Sequence, residues 1–200
     1  MKIVSHGNST YFTYRKKSQN RSAYFSRARK FLDKKNLTQL YYSFIYPYLT
    51  YCNIIWGNAP DYILWPIFRA QKRAIRIISN IRRRESTKLA FQSLQILRLP
   101  DIYTFSALIY VYKYKNGLLP SPFDSFYITN SQIHGYPTRK AAQLRAPATK
   151  TKIATSFIKR TGVNIWNNFS TIITQHMKIG AFKKAIIANL ITKYDPPNNI

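Results

Sequence analysis

From Asn36 to Arg84 the chain offers two consecutive helices joined at Gly57-Asn58-Ala59-Pro60, and the second constrains everything around it. At 100° per residue, the stretch from Asp61 to about Arg82 puts Ile63, Ile67, Ala70, Ala74, Ile77 and Ile78 on one side. Arg69, Lys72, Arg73 and Arg76 fall within roughly a 100° arc on the opposite side. Arg82, Arg83 and Arg84 extend that charge past the helix end. A helix of this kind must bury one face while presenting four cations on the other. The preceding stretch, Leu37 to Trp56, is aromatic and has no charged residue. The rest of the chain must therefore pack around this pair or continue its basic surface.

The whole sequence shares that imbalance. In 200 residues, 32 Lys and Arg stand against 6 Asp and Glu, a net charge of +26. Self-repulsion of this size opposes compaction unless a polyanion neutralises it. Nucleic acid is the commonest polyanion, and an anionic membrane surface is the main competitor. A hydrophobic fraction of 46%, with 12 Phe and 16 Tyr, argues for a folded chain.

Taken in order, residues 1–21 read as a basic, flexible lead-in without a signal-peptide core. Residues 22–117 read as a helical domain. Ser22 caps a short helix with Tyr24, Phe25, Ala28 and Leu32 inward, and Asn36 with Gln39 resembles a cap for the next. Pro47 should kink the Leu37–Trp56 helix and Gly57 should stop it. Cys52, the one cysteine, reads as a small core residue. Ser86 caps a short helix, and Leu99-Pro100-Asp101 opens another with Ile102, Phe105, Leu108, Ile109 and Tyr112 inward, closed by Asn116-Gly117. Residues 118–152 form a Pro-rich, basic, irregular connector. Residues 153–195 combine a small hairpin or extended arm at Ile153–Val163 with an amphipathic helix from about Ile179 to Tyr194, stopped by Asp195-Pro196-Pro197; 196–200 is a tail. The expected fold is mainly α, with a minor β hairpin or extended region and a C-terminal amphipathic helix.

Catalytic chemistry is poorly supplied. The acids Asp33, Asp61, Glu85, Asp101, Asp124 and Asp195 include no adjacent pair to hold magnesium. His6, His134 and His176 show no metal spacing with each other or with Cys52, and no glycine-rich phosphate loop exists. The expectation is no enzyme activity from this chain alone, with no cofactor, metal or small-molecule substrate. Polyanion binding is better supported, at Arg69, Lys72, Arg73, Arg76, Arg82, Arg83 and Arg84. A second basic cluster is Arg139, Lys140, Arg145, Lys150, Lys152, Lys159 and Arg160. Tyr41, Tyr42, Phe44, Tyr48, Phe105 and Tyr112 sit at helical spacing and read as core. Gln39, Pro47 and Asn53 argue against a membrane span at 37–56.

Particular words then carry a resemblance. They are Leu40-Tyr41-Tyr42-Ser43-Phe44-Ile45-Tyr46-Pro47-Tyr48-Leu49-Thr50-Tyr51, Ile55-Trp56-Gly57, Gln71-Lys72-Arg73-Ala74-Ile75-Arg76, Leu94-Gln95-Ile96-Leu97, Asp101-Ile102-Tyr103 and Asn116-Gly117-Leu118-Leu119-Pro120. Ile133-His134-Gly135-Tyr136-Pro137-Thr138-Arg139, Ile165-Trp166-Asn167-Asn168 and Phe182-Lys183 follow. In this order they resemble the C-terminal region of reverse transcriptases from non-LTR (LINE-type, jockey-like) retrotransposons, over roughly Ala23 to Tyr194. The resemblance implies a helical thumb-like domain and the region after it. In that family the thumb grips the template–primer duplex, and Lys72, Arg73 and Arg76 would lie on its basic helix. The palm's Tyr-x-Asp-Asp word is missing, Cys52 stands where a Gly is usual, and Phe169-Ser170 replaces Leu-Pro. The implied identity is a truncated fragment in the nucleus or cytoplasm that binds an RNA–DNA hybrid or duplex without sequence preference. Apolar surface left by the missing palm would be open to self-association. Composition alone also fits a basic organellar ribosome-like RNA-binding protein, a mitochondrially imported chain, or a membrane-associated protein using residues 37–56.

Overall fold

The computed structural model describes residues 25–133, 139–169 and 178–194. Expectations for residues 1–21, Ser22, Tyr24, His134, Thr138, the Asp195-Pro196-Pro197 stop and the tail 196–200 lie outside the described residues, as does the side chain of Lys152. The fold is mainly α-helical. Among the described residues β pairing is limited to an antiparallel bridge between Thr129 and Leu144. The chain divides into two compact units: the described part of Met1–Ile102 with Ile187–Ile200, and that of Tyr103–Ile186.

In the first unit, Phe25 is buried and residues 25–28 are helical. The next helix, Lys34–Phe44, is capped by Asp33, whose carboxylate accepts from the Asn36 N–H at 2.8 Å. Asp33, and not Asn36, is thus the N-cap. The aromatic stretch is three short helices and not one: Lys34–Phe44, Tyr46–Thr50 and Asn53–Trp56. Pro47 has no N–H for the Ser43 carbonyl, and the helix restarts with Pro47 in its first turn. Tyr51 is then extended and Cys52 left-handed at φ 49°, which breaks the run again. Cys52 is exposed, contrary to the core position expected of it. Gly57 ends the last short helix as expected. Of the aromatics assigned to the core, Tyr41 and Tyr112 are buried, while Tyr42 and Phe44 are exposed.

The basic helix runs Asp61–Ser79. It stops three residues early because Asn80 turns left-handed at φ 55°, and the N–H groups of Asn80 and Ile81 both reach the Arg76 carbonyl. Its buried face holds Ile67, Ala70, Gln71, Ala74, Ile75 and Ile78. Gln71 is 0% exposed. Its amide nitrogen donates to the Tyr41 hydroxyl at 2.9 Å and the Leu97 carbonyl at 2.8 Å, and its amide oxygen accepts from the Leu99 N–H at 2.9 Å. Burial pushes the Tyr41 phenol up, keeping it neutral. Thr87 holds the N-cap position of Lys88–Ser93 without a side-chain cap bond, while the Ser86 hydroxyl accepts from the Lys88 N–H at 3.4 Å. The helix Leu99–Lys115 begins where expected. Ahead of it, Arg98 Nε and the Tyr194 hydroxyl converge on Asp101 Oδ2 at 2.9 and 2.6 Å, and the Arg98 guanidinium lies 3.8 Å from the Tyr194 ring centre. All three residues lie within the first unit, where they tie Tyr194, just past the last helix, Ile179–Thr192, to the start of the Leu99–Lys115 helix.

In the second unit, Tyr110, Phe123, Phe126 and Tyr127 form a ring cluster. The expected hairpin at Ile153–Val163 is absent; helices Lys152–Ser156 and Ile158–Phe169 stand there. The Thr151 hydroxyl caps the first by accepting from the Ala154 N–H. In the second, Gly162, Val163, Trp166 and Phe169 are buried at helical spacing, and this outweighs the weak alternation in the sequence. A Cβ on Gly162 would meet the Tyr127 hydroxyl at 2.8 Å, so the close approach at that point requires glycine.

Two outcomes follow for denaturant midpoints. Gln71→Leu leaves the Leu97 carbonyl and Leu99 N–H buried without partners and should cost roughly 3 kcal/mol; a loss below about 1 kcal/mol would sink this role. Cys52→Gly removes left-handed strain at the cost of chain entropy and should match or exceed the parent by up to about 1 kcal/mol. Cys52→Val, β-branched, should lose about 1–2 kcal/mol, and equal midpoints for all three would contradict the strain.

Candidate nucleic-acid interface

The same packing that buries Gln71 turns the opposite face of the Asp61–Ser79 helix outward. There a cleft of about 640 Å³ opens in the first unit, with Arg29, Arg69, Lys72, Arg73, Arg76 and Arg83 among its lining residues. Among the described residues no carboxylate lines it, and Ser26, Trp65, Ile77 and Ile81 also contribute to the wall. Five of the seven cations singled out on this segment, Arg69, Lys72, Arg73, Arg76 and Arg83, thus converge on one concave surface. Arg82 and Arg84 do not line it, and Arg82 stands 3.9 Å from Glu85 in an exposed pair.

Arg29 and Trp65 belong to the site and were missed in the sequence. Arg29 comes from the segment before Asp33, and its guanidinium donates to the side-chain carbonyl of Asn80, the residue that ends the basic helix. No sequence spacing links residues 51 apart. Trp65 was legible: with Tyr62 it falls in the same roughly 100° arc as Arg69, Lys72, Arg73 and Arg76.

The cations differ in how they are held. Arg69 and Arg73 are exposed and make no hydrogen bond or ion pair among the described residues. Arg76 is half-buried; its Nη2 donates to the Glu85 carbonyl at 3.1 Å, while its Nε has no partner among the described residues. Lys72 Nζ sits 4.3 Å from the Phe68 ring centre and 4.9 Å from that of Trp65. Desolvation, then the charges of Arg76 and Arg98, hold the Lys72 ammonium below the usual lysine range. An anion in the cleft would offset the repulsion from Arg76 and Arg98. Chemically the site is suited to phosphate groups: several charged donors, no competing carboxylate, and room for more than one phosphate.

The second basic cluster lies in the other unit. Arg139, Lys140 and Arg145 are exposed there. Arg160 is structural: its guanidinium donates to the Pro147 carbonyl at 2.9 Å and the Thr149 hydroxyl at 3.0 Å, pinning the connector. Lys159 lies over the Phe126 ring at 5.3 Å. Among the described residues no group of three or more His, Cys, Asp or Glu could hold a metal, and no helix is long and apolar enough to cross a membrane. No family model, curated protein or solved structure matches the chain.

If the cleft charge exists for a ligand and not for the fold, Arg69→Ala with Arg73→Ala should not lower stability. At low ionic strength the double variant should melt at or a few degrees above the parent, a gap that salt closes. A loss of more than about 1 kcal/mol would make these arginines structural instead.

Proposed function

We propose that this chain is the thumb-like, C-terminal portion of a non-LTR retrotransposon reverse transcriptase, binding an RNA–DNA hybrid or duplex without sequence preference. It carries no palm carboxylates and does not polymerise by itself. The observation that carries the binding is the cleft lined, among the described residues, by six cations and no acid. The family reading rests on the ordered sequence words, and two structural details support it. Within Gln71-Lys72-Arg73-Ala74-Ile75-Arg76, Gln71, Ala74 and Ile75 are buried while Lys72, Arg73 and Arg76 line the cleft. One word thus encodes both the anchoring and the binding face of a single helix. Cys52, standing where that family usually has Gly, adopts the left-handed conformation that favours Gly.

The test is binding to hybrid, duplex and single strands across a salt series. Log affinity should fall with log salt with a slope of about −0.9 per phosphate on duplex. Replacing Arg69, Lys72, Arg73 and Arg76 by Ala should reduce that slope by up to about 3–4. An unchanged slope would place the binding surface elsewhere. Primer extension should be undetectable with magnesium, and its appearance would overturn the claim that the chain does not polymerise.

A further inference from the structure

Trp65 is 51% exposed and Tyr62 is 77% exposed, although both belong to a helix with a well-filled buried face. On the helical wheel they share the arc of Arg69, Lys72, Arg73 and Arg76. Trp65 lines the cleft. From Trp65 to Arg76 the helix advances about 16 Å, so an indole stands at one end of a row of cations, Arg69 to Arg76, about 10 Å long. Lys72 joins the two features, because its ammonium lies both over the Trp65 ring and in the cleft wall.

Phosphate contacts alone need no aromatic group. Bases inside a duplex are stacked on each other and offer no face to an indole, whereas an unpaired base does. A cationic groove ending in an exposed aromatic ring is the arrangement that holds single strands. Building on the nucleic-acid reading of the cleft, we propose that Trp65 is a stacking site for an unpaired base, so that the cleft takes a single-stranded segment with its phosphates along Arg69, Lys72, Arg73 and Arg76. Tyr62, one turn earlier, extends the platform to the next base.

The test uses the full chain with a fluorescent oligothymidylate of about 12 nucleotides, inside the ~4–16 nucleotide footprint of such grooves, and with a blunt duplex. Trp65→Leu should weaken oligothymidylate binding about 5- to 150-fold, the range expected for one lost base stack, and weaken blunt-duplex binding by clearly less, because no unpaired base is there to stack. Trp65→Phe should restore most of the affinity. Oligothymidylate should quench the tryptophan emission of the parent, and Trp65→Phe should lose that component. Unaltered melting of both variants separates the effect from misfolding. If Trp65→Leu binds the oligonucleotide as the parent does while the four-cation variant fails, the stacking proposal is wrong and the cationic cleft stands. If neither variant affects any substrate, the cleft itself is not the binding surface.

Discussion

The first unit depends on the amide of Gln71. It is buried on the basic helix and uses its nitrogen and its oxygen on three partners: the Tyr41 hydroxyl, the Leu97 carbonyl and the Leu99 N–H. A buried amide left unpaired is costly, so these bonds allow one rotational setting of the helix and one approach of the chain before Leu99. That setting puts Ile67, Ala70, Ala74 and Ile78 into the core. It also decides which way Arg69 and Arg73 point.

The electrostatic arrangement follows from that choice. A helix anchored by a neutral polar hub can carry unpaired cations on its far side, because nothing in the core depends on them. Lys72 illustrates the compromise: its ammonium lies over the Trp65 and Phe68 rings, and burial together with Arg76 and Arg98 disfavours its charge. Arg98 is the opposite case. Burial works against its charge, but the hydrogen bond and charge of Asp101 more than offset this. Where acids are scarce, the few present hold the fold together: Asp33 caps a helix and Asp101 collects Arg98 and Tyr194. The charged groups of the cleft are, among the described residues, all cations.

Much of this was written in the sequence. The basic face of the Asp61–Ser79 helix follows from a period of 3.6, as do four cations of the cleft and the burial of Ile67, Ala70, Ala74 and Ile78, whereas Ile77, expected inward, lines the cleft, and Gln71 and Ile75 fill the core instead. The helix opening at Leu99 and ending at Lys115, just before Asn116 and the left-handed Gly117 at φ 62°, follows from Pro100, Asp101 and the Asn-Gly pair. Other elements were misread where a weak local signal met a tertiary one. Ile153–Val163 alternates faintly, yet Gly162 against Tyr127 and Val111 and the buried Trp166 make it helical. The aromatic stretch lacked any visible stop at Tyr51-Cys52, because a left-handed cysteine has no sequence signature.

What the sequence by itself determined was composition by face: a mainly helical chain, one helix divided between core and charge, and a shortage of acids that leaves the charge unanswered. Only the tertiary structure decided that the charge is concave. Arg29 reaches Asn80 across 51 residues, Arg83 returns from the turn after the helix, and Trp65 closes the row. Periodicity reports which side of one helix a residue takes. Which other segment meets that side is set by buried contacts such as those of Gln71, and these join residues that no local pattern connects.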